Sequence, residues 1–500
     1  MIKITTNVLI IGAGPAGLTA GYLLSKADIP VAIVEKNPSL VGGISRTEKY
    51  KDFLFDIGGH RFFSKSKEVV NLWKEILPSD FIERPRLSRI FYGKKYYSYP
   101  LKPFEALTNL GIVTSSLCVL SYTWAKLFPI KNPKSFHDWV RNQFGERLFL
   151  VFFKTYTEKV WGMSCDEISA DWAAQRIKGL SLGSAISNAL FLGIRKKKRA
   201  PGKLVIKTLI DTFRYPRLGP GMLWDAAANK TIAQGGLLHM GTSTQKYEWD
   251  DQSQQWIVTA INSSGETVEY SSKHLISSAP LSELTSQIHP PPSSQEHGLQ
   301  LRYRDFITVA LIAKNSDDFP DNWIYIHDPS VKVGRVQNFR SWSPEMVPDP
   351  NLTCLGLEYF CFEGDGLWTM DDQELINLAK REINQIGLIQ ADSIVDGVVV
   401  RQPKAYPVYD DHYRDHVLAI RREFESKYPT LHLVGRNGMH KYNNQDHAMM
   451  TAMLTAKNIL AGERKFDIWN VNEDAEYHES GYEGAKDALS SERLVPKKLR

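Results

Sequence analysis

Cysteine is scarce in this chain: four residues in 500, Cys118, Cys165, Cys354 and Cys361, with no metal or redox spacing among them. That excludes a disulfide framework, and with no secretory leader before the first apolar run it predicts reduced thiols in the cytoplasm. Charge of one sign is lacking too. A formal net charge of +5 over this length leaves no nucleic-acid footprint. The scattered His, Cys and Asp residues match no metal-ligand pattern, and no G-x-S-x-G elbow appears. No internal repeat is visible. Long hydrophobic runs are also missing. Residues 106–125 carry no charge, but Asn109, Thr114, Ser115, Ser116, Ser121 and Thr123 make the stretch too polar for a comfortable span. It reads instead as a buried helix of a substrate domain. The run Arg195–Arg199 reads as a solvated loop rather than a lipid- or phosphate-binding patch.

What is present begins at the N-terminus. Val8, Leu9, Ile10 and Ile11 form an apolar run, followed by Gly12-Ala13-Gly14-Pro15-Ala16-Gly17 and then apolar residues at helical spacing. This is a buried strand, a glycine turn and a helix. Gly12 permits the tight turn, Gly14 the approach of a pyrophosphate, and Gly17 close packing of helix on strand. The anion would sit at the helix start, where backbone N–H groups are unsatisfied. A second strand, Val31–Val34, runs into Glu35, an acid placed to hold the hydroxyls of an adenosine ribose, with Lys36 beside it. Gly42-Gly43-Ile44-Ser45-Arg46 then offers a glycine pair, a hydroxyl and a cation that could reach a phosphate. A third strand ends in Asp56-Ile57-Gly58-Gly59-His60.

Together these elements resemble the FAD family that includes amine oxidases, protoporphyrinogen oxidases, carotenoid desaturases and UDP-galactopyranose mutases. The resemblance implies FAD, and with no cysteine or histidine in a recognisable flavinylation motif the cofactor is expected to be bound non-covalently. Four further segments resemble the mutases in particular. Phe152-Phe153-Lys154-Thr155-Tyr156-Thr157-Glu158-Lys159-Val160-Trp161-Gly162 is similar to their F-x-K-G-Y-T-x-K-Q-W, and Gly59-His60-Arg61-Phe62-Phe63 to their G-P-H-x-F. Gly435-Arg436-Asn437-Gly438-Met439-His440-Lys441-Tyr442-Asn443-Asn444-Gln445-Asp446 is similar to G-R-x-x-x-Y-R-Y-x-D-M, and Tyr96–Leu101 parallels a short Y-S-x-P-x stretch.

The mutase resemblance implies reduced FAD acting through N5 as a nucleophile on a nucleotide-linked sugar, without net oxidation. By the same resemblance Gly435, Arg436, Tyr442 and Asp446 complete the flavin site, His60 shapes the substrate face of the ring, and Tyr156, Trp161 and Tyr406 wall the cleft. Arg304 and Arg335 would bind diphosphate, and Arg176 would replace part of the clamp. Tyr156 and Trp161, five residues apart, do not share a helix face, so a kink or helix end is expected there.

Departures point toward the oxidases. Leu180 and Val333 stand where mutases carry a second diphosphate arginine and a tyrosine, and Ile276-Ser277-Ser278-Ala279-Pro280 is similar to the V-I-x-T-x-P of amine oxidases. An FAD oxidoreductase of the amine or protoporphyrinogen oxidase type is therefore the alternative.

An α/β chain with a discontinuous Rossmann-type FAD-binding domain follows (1–85, 205–285 and 425–465). A helical substrate subdomain (101–200) and a mixed β-sheet substrate domain (86–100 and 290–424) are inserted in it, and a polar tail runs from 466 to 500. The helical subdomain should contain a helix capped by Ser135, and 237–280 a β-meander whose last strand rejoins the nucleotide sheet. The segment Tyr215–Gly221 reads as a turn.

Overall fold

The computed structural model describes residues 2–99, 101–170, 212–314 and 319–472. The apolar runs of the nucleotide half form an eight-stranded sheet. Its order is β13 (Ile288–His289), β10 (Ser243–Asp250), β11 (Gln255–Ile261), β12 (Thr267–Ser277), β1 (Ile2–Ile11), β2 (Val31–Val34) and β9 (Leu237–His239), with β19 (Leu431–Leu433) added to β12. Strands β9, β2, β1, β12 and β19 run parallel, while β10, β11 and β12 form an antiparallel meander. The meander rejoins the parallel strands because β12 is long enough to serve both, with His274–Ser277 alongside Val8–Ile11. Val8–Ile10 and Ala32–Ile33 are wholly buried, as expected of parallel strands covered on both faces.

A seven-stranded sheet carries the other half. Its order is β18 (Ile394–Pro407), β14 (Tyr303–Lys314), β17 (Leu352–Cys361), β16 (Arg335–Asn338), β15 (Trp323–Ile326), β6 (Ser88–Tyr92) and β7 (Lys95–Ser98). One face of this sheet packs against the helix Asp372–Gln385. The other faces a helical subdomain of α3 (Pro103–Leu110), α4 (Ile112–Leu127), α5 (Phe136–Phe144), α6 (Glu146–Phe149) and α7 (Thr155–Trp161). In the nucleotide half, α1 (Pro15–Lys26) and α2 (Lys67–Ile76) precede them. The Ser135 cap is present and reciprocal. Ser135 Oγ accepts from Asp138 N at 3.1 Å, and Asp138 Oδ2 accepts from Ser135 N at 3.4 Å.

Three expectations need correction. Residues 106–125 do not form a buried helix: α4 turns its large apolar side chains outward, with only Cys118 and Ala125 buried along it. Tyr215 lies in a strand, β8 (Thr212–Pro216), which pairs with β5 (Phe81–Pro85) and so buries the ring completely. The chain does not become a polar surface tail at 466, because Ile468, Trp469 and Val471 pack onto the nucleotide-domain core. Arg176, Leu180, Arg195–Arg199 and the chain beyond 472 lie outside the described residues.

Candidate active site

Two glycine turns form the nucleotide end of the site. Gly12 has φ +95°, and a Cβ on it would stand 2.4 Å from Ser278 Oγ. At Gly17 a Cβ would fall 1.8 Å from the Gly12 carbonyl oxygen, so the start of α1 packs directly on the turn. Gly14 is the N-cap of α1, no side chain caps that terminus, and Pro15 fills the first turn. Gly42 and Gly43, both at positive φ, bring the second turn so close that a Cβ on Gly14 would stand 3.8 Å from Gly43 Cα. Ala16 and Ser45 are buried beneath these turns.

An uncapped helix start between two side-chain-free turns fits the pyrophosphate of a dinucleotide such as FAD. Glu35 closes the same end: its carboxylate accepts from Ala13 N at 2.7 Å and Asn37 N at 2.8 Å. Lys36 points to solvent. Arg46, expected to reach a phosphate, is held by Glu48 at 2.6 Å, Gln402 at 2.6 Å and the Gly43 carbonyl at 3.0 Å. It ties the nucleotide turn to β18.

Where the two sheets meet, the expected cleft residues come together with some exceptions. A Cβ on Gly58 would lie 3.7 Å from Arg335 Nη2, so the D-x-G-G-H turn abuts β16. His60 Nε2 lies 2.9 Å from the Ile57 carbonyl, and burial together with the Arg436 charge pushes its pKa down to about 4. The imidazole is neutral at physiological pH. Arg436 lies over Tyr442 at 4.8 Å and Tyr406 at 5.2 Å, and those two rings stack at 5.5 Å. Trp161 packs on Tyr442 at 6.3 Å, and Tyr156 stacks on His327 at 4.8 Å and meets Tyr325 edge-on at 5.4 Å. No kink separates Tyr156 from Trp161, but the expected helix end is there, since Trp161 is the last residue of α7. A wide π-type turn at Leu150–Lys154 precedes α7, and α7 ends at Gly162 in the left-handed conformation.

The two arginines assigned to diphosphate have different surroundings. Arg335 is ion-paired with Glu358, which also accepts from Gln337. Burial opposes the Arg335 charge, but Glu358, Tyr156, Tyr406 and Tyr325 outweigh it and hold its pKa well above the ordinary value. Arg304 donates instead to three main-chain carbonyls: Phe360 at 2.8 Å, Val160 at 3.1 Å and Lys159 at 3.2 Å. Its guanidinium lies over Phe362 at 4.2 Å, and burial lowers its pKa to about 10. Arg304 is a strut between α7 and β17, which corrects its assignment as a diphosphate ligand. Lys159 braces the other side of α7 through the carbonyls of Asp328 at 2.6 Å, Val333 at 3.2 Å and Ile326 at 3.3 Å. Burial lowers its pKa to about 8.

Gly435 begins the last turn at φ +79°. Asp446, at the start of helix Gln445–Ala461, is buried, and that burial raises its pKa to about 7. Glu358, Gln337, Tyr325 and Gln402 were not anticipated. Only Glu358 leaves a sequence signal, as the single charge inside the apolar run Leu352–Cys361. Gln337 Oε1 is buried with no hydrogen-bond partner among the described residues, and a Cβ on Gly59 would stand 3.3 Å from it.

Comparison with known proteins agrees with this layout. A model of the NAD(P)-binding Rossmann-like domain matches residues 10–76. The crystal structure of reduced UDP-galactopyranose mutase superposes with TM-score 0.77 at 20% identity, covering 91% of this chain and 96% of that one. The chain has the mutase–oxidase fold. A structure from Exiguobacterium sp. 255-15, assigned as a protoporphyrinogen oxidase, gives TM-score 0.68 at 15% identity over 92% and 99% of the two chains. Putrescine oxidase bound to putrescine gives 0.59 at 16% over 92% and 100%.

Sequence matches are shorter. A protein of Klebsiella pneumoniae assigned as UDP-galactopyranose mutase is 24% identical over 33% of this chain and 43% of its own length. Thioredoxin reductase of Rickettsia prowazekii is 34% identical over 22% and 32%. The chain therefore spans less than half the length of these curated relatives. Among the described residues, no helix is long and apolar enough to cross a membrane.

Proposed function

We propose that this chain is an FAD-dependent enzyme of the mutase type, acting with reduced flavin on a nucleotide-linked sugar or similar diphosphate without net redox change. The observation that carries this reading is the setting of Arg335, a half-buried cation paired with Glu358 beside the Gly58 turn, with the phenols of Tyr156, Tyr325 and Tyr406 around it. A cation and phenolic donors suit a diphosphate. A hydride-transfer cavity would be better served by apolar walls.

In this reading the Gly12–Gly17 turn and the start of α1 hold the pyrophosphate of the cofactor, Glu35 holds the ribose, and Gly58, Gly59 and His60 border the ring. Bound FAD supplies the nucleophile when reduced. Neutral His60 can orient the ring without adding charge. Arg335 and Arg436 attract the diphosphate, while Tyr156, Trp161, Tyr406 and Tyr442 hold the sugar. Four free, buried cysteines support the cytoplasmic reading, since they need no oxidising compartment.

The decisive experiment titrates dithionite-reduced protein with a panel of nucleotide sugars, then treats it with borohydride and determines the mass of the released flavin. Sub-millimolar binding and a flavin bearing sugar mass are expected, with binding at least tenfold weaker in Arg335→Ala. If no nucleoside diphosphate binds at millimolar concentration and Arg335→Ala changes nothing, the mutase reading falls.

A specific observation supports the second reading. Arg304 is engaged by main-chain carbonyls, so the clamp is thinner than the mutase resemblance implies. Steady peroxide formation with an amine or a porphyrinogen would favour the oxidase.

A further inference from the structure

Helix α4 is amphipathic in the reverse sense. Val113, Leu117, Leu120, Trp124, Leu127 and Phe128 form one stripe at helical spacing, and all are exposed: Val113 by 76%, Leu120 by 65% and Trp124 by 59%. The inward stripe is small: Cys118 and Ala125 are buried, and Thr114 and Ser121 half-buried. These small residues let α4 lie close on the α5–α6 corner, where a Cβ on Gly145 would meet Tyr122 N at 2.6 Å. Ser121 Oγ accepts from Arg147 N at 3.1 Å at the same corner. Of the 18 large apolar side chains exposed among the described residues, eight fall between Ile112 and Phe128. Isolated exposed leucines are ordinary, but a contiguous stripe marks an interaction face.

Along the chain, charge flanking the stripe has one sign, and the acid that stands beside α4, Glu146, lies at the Gly145 corner on the inward side. No acidic residue occurs from 106 to 137, while Lys126, Lys131 and Lys134 are exposed at the C-terminal end of α4. At the other end, exposed Lys95 donates to the Asn109 carbonyl at 2.6 Å, just before α4 begins. Sixteen residues span about 24 Å, short of a ~30 Å hydrocarbon core, so α4 can lie on a bilayer but not cross it.

We propose that α4 docks the protein on an anionic membrane surface. The apolar stripe, with the Trp124 and Phe128 rings tilted against each other at 4.4 Å, enters the headgroup boundary, and the flanking lysines meet lipid phosphates. This does not depend on the reaction proposed above. The same subdomain carries Tyr156 and Trp161 on α7, so docking sets the orientation of the cleft wall relative to the bilayer.

The test is co-sedimentation of the full, flavin-loaded protein with phosphatidylcholine vesicles and with vesicles containing equal phosphatidylglycerol. Binding is expected on the anionic vesicles, weakened about fivefold for each of Lys126, Lys131 and Lys134 changed to glutamine. Leu120→Glu/Trp124→Glu should lower it at least tenfold while melting temperature and flavin content stay unchanged, because both side chains are already in water. Failure to bind anionic vesicles at low salt overturns the proposal. So does a dimer in solution that Leu120→Glu dissociates, which would assign the face to a second copy. Binding that survives Leu120→Glu/Trp124→Glu but vanishes when Arg195–Arg199 are neutralised would also overturn it.

Discussion

The turn from β1 into α1 and the C-terminus of α7 are both closed by a glycine that leaves no room for a side chain, but the neighbours of the two glycines differ. At Gly17 the obstacle is main chain, with the Gly12 carbonyl oxygen 1.8 Å from the would-be Cβ. At Gly162 it is the guanidinium of Arg304, with Cζ at 2.4 Å. Main chain anchored at the end of a buried parallel sheet, as Gly12 is by its N–H to the Val34 carbonyl, cannot readily move aside, whereas the far end of a long side chain can. The nucleotide turn is thus specified by local geometry, and the cleft wall by a contact between residues 142 positions apart (304 less 162).

The largest expected effect comes from Gly17→Ala. Overpacking against a fixed backbone should cost more than about 3 kcal/mol and leave little folded protein. Flavin content per folded molecule after gel filtration, together with the urea midpoint, checks this. Wild-type values for both would break the comparison at its rigid end.

Next in size is Arg304→Met. It leaves the carbonyls of Lys159, Val160 and Phe360 without their charged donor, at about 3 kcal/mol in total, since each such bond is worth about 1.5–3 kcal/mol and they are not additive. The folded fraction should bind nucleoside diphosphates within about threefold of the parent, whereas Arg335→Met should lose tenfold or more. The opposite pattern in a binding titration would make Arg304 the ligand and Arg335 the strut.

Gly162→Ala should be milder, about 1–2 kcal/mol by urea midpoint. It combines the cost of φ +65° with displacement of Arg304. Combined with Arg304→Met it should cost less than the sum of the two, because the clash partner is gone.

The last test is a pH dependence at the seam between the halves. Asp56 is buried under Thr47 and the Tyr215 hydroxyl, and burial raises its pKa to about 8. The unfolded carboxyl titrates near 3.8, so the folded chain keeps a proton that the unfolded chain has released. The stabilisation this brings is complete below pH 4 and is lost as pH rises through 8. Asp56→Asn should therefore gain on the parent protein between pH 5 and pH 8. A gap in urea midpoint that stays constant across that range would show that Asp56 is ionised in the fold.

Legibility followed the same division. Val8–Ile11, the glycine spacing, Glu35 and the Ser135 cap could be read along the chain because each acts within a few residues of itself. Tyr215 could not, since its strand forms by pairing with Phe81–Pro85 and Phe62, more than a hundred residues earlier. Glu358 could be suspected as a charge in an apolar strand, but its partners Arg335 and Gln337 come from a neighbouring strand. The direction of α4 was misread because an uncharged helix with small polar residues has two plausible inner faces. Close approach to Gly145 selected the small one.

By itself, then, the sequence determined the dinucleotide turn, the period of the buried strands and the aromatic and cationic residue types available to a cleft. Backbone conformation and side-chain period are local properties, and those features need nothing more. Which arginine braces and which faces the cleft, which side of α4 meets solvent, and that Arg46 bridges to Gln402 were decided only by tertiary structure. A guanidinium takes whatever acceptors lie within reach, and the folded chain brings those acceptors from distant segments.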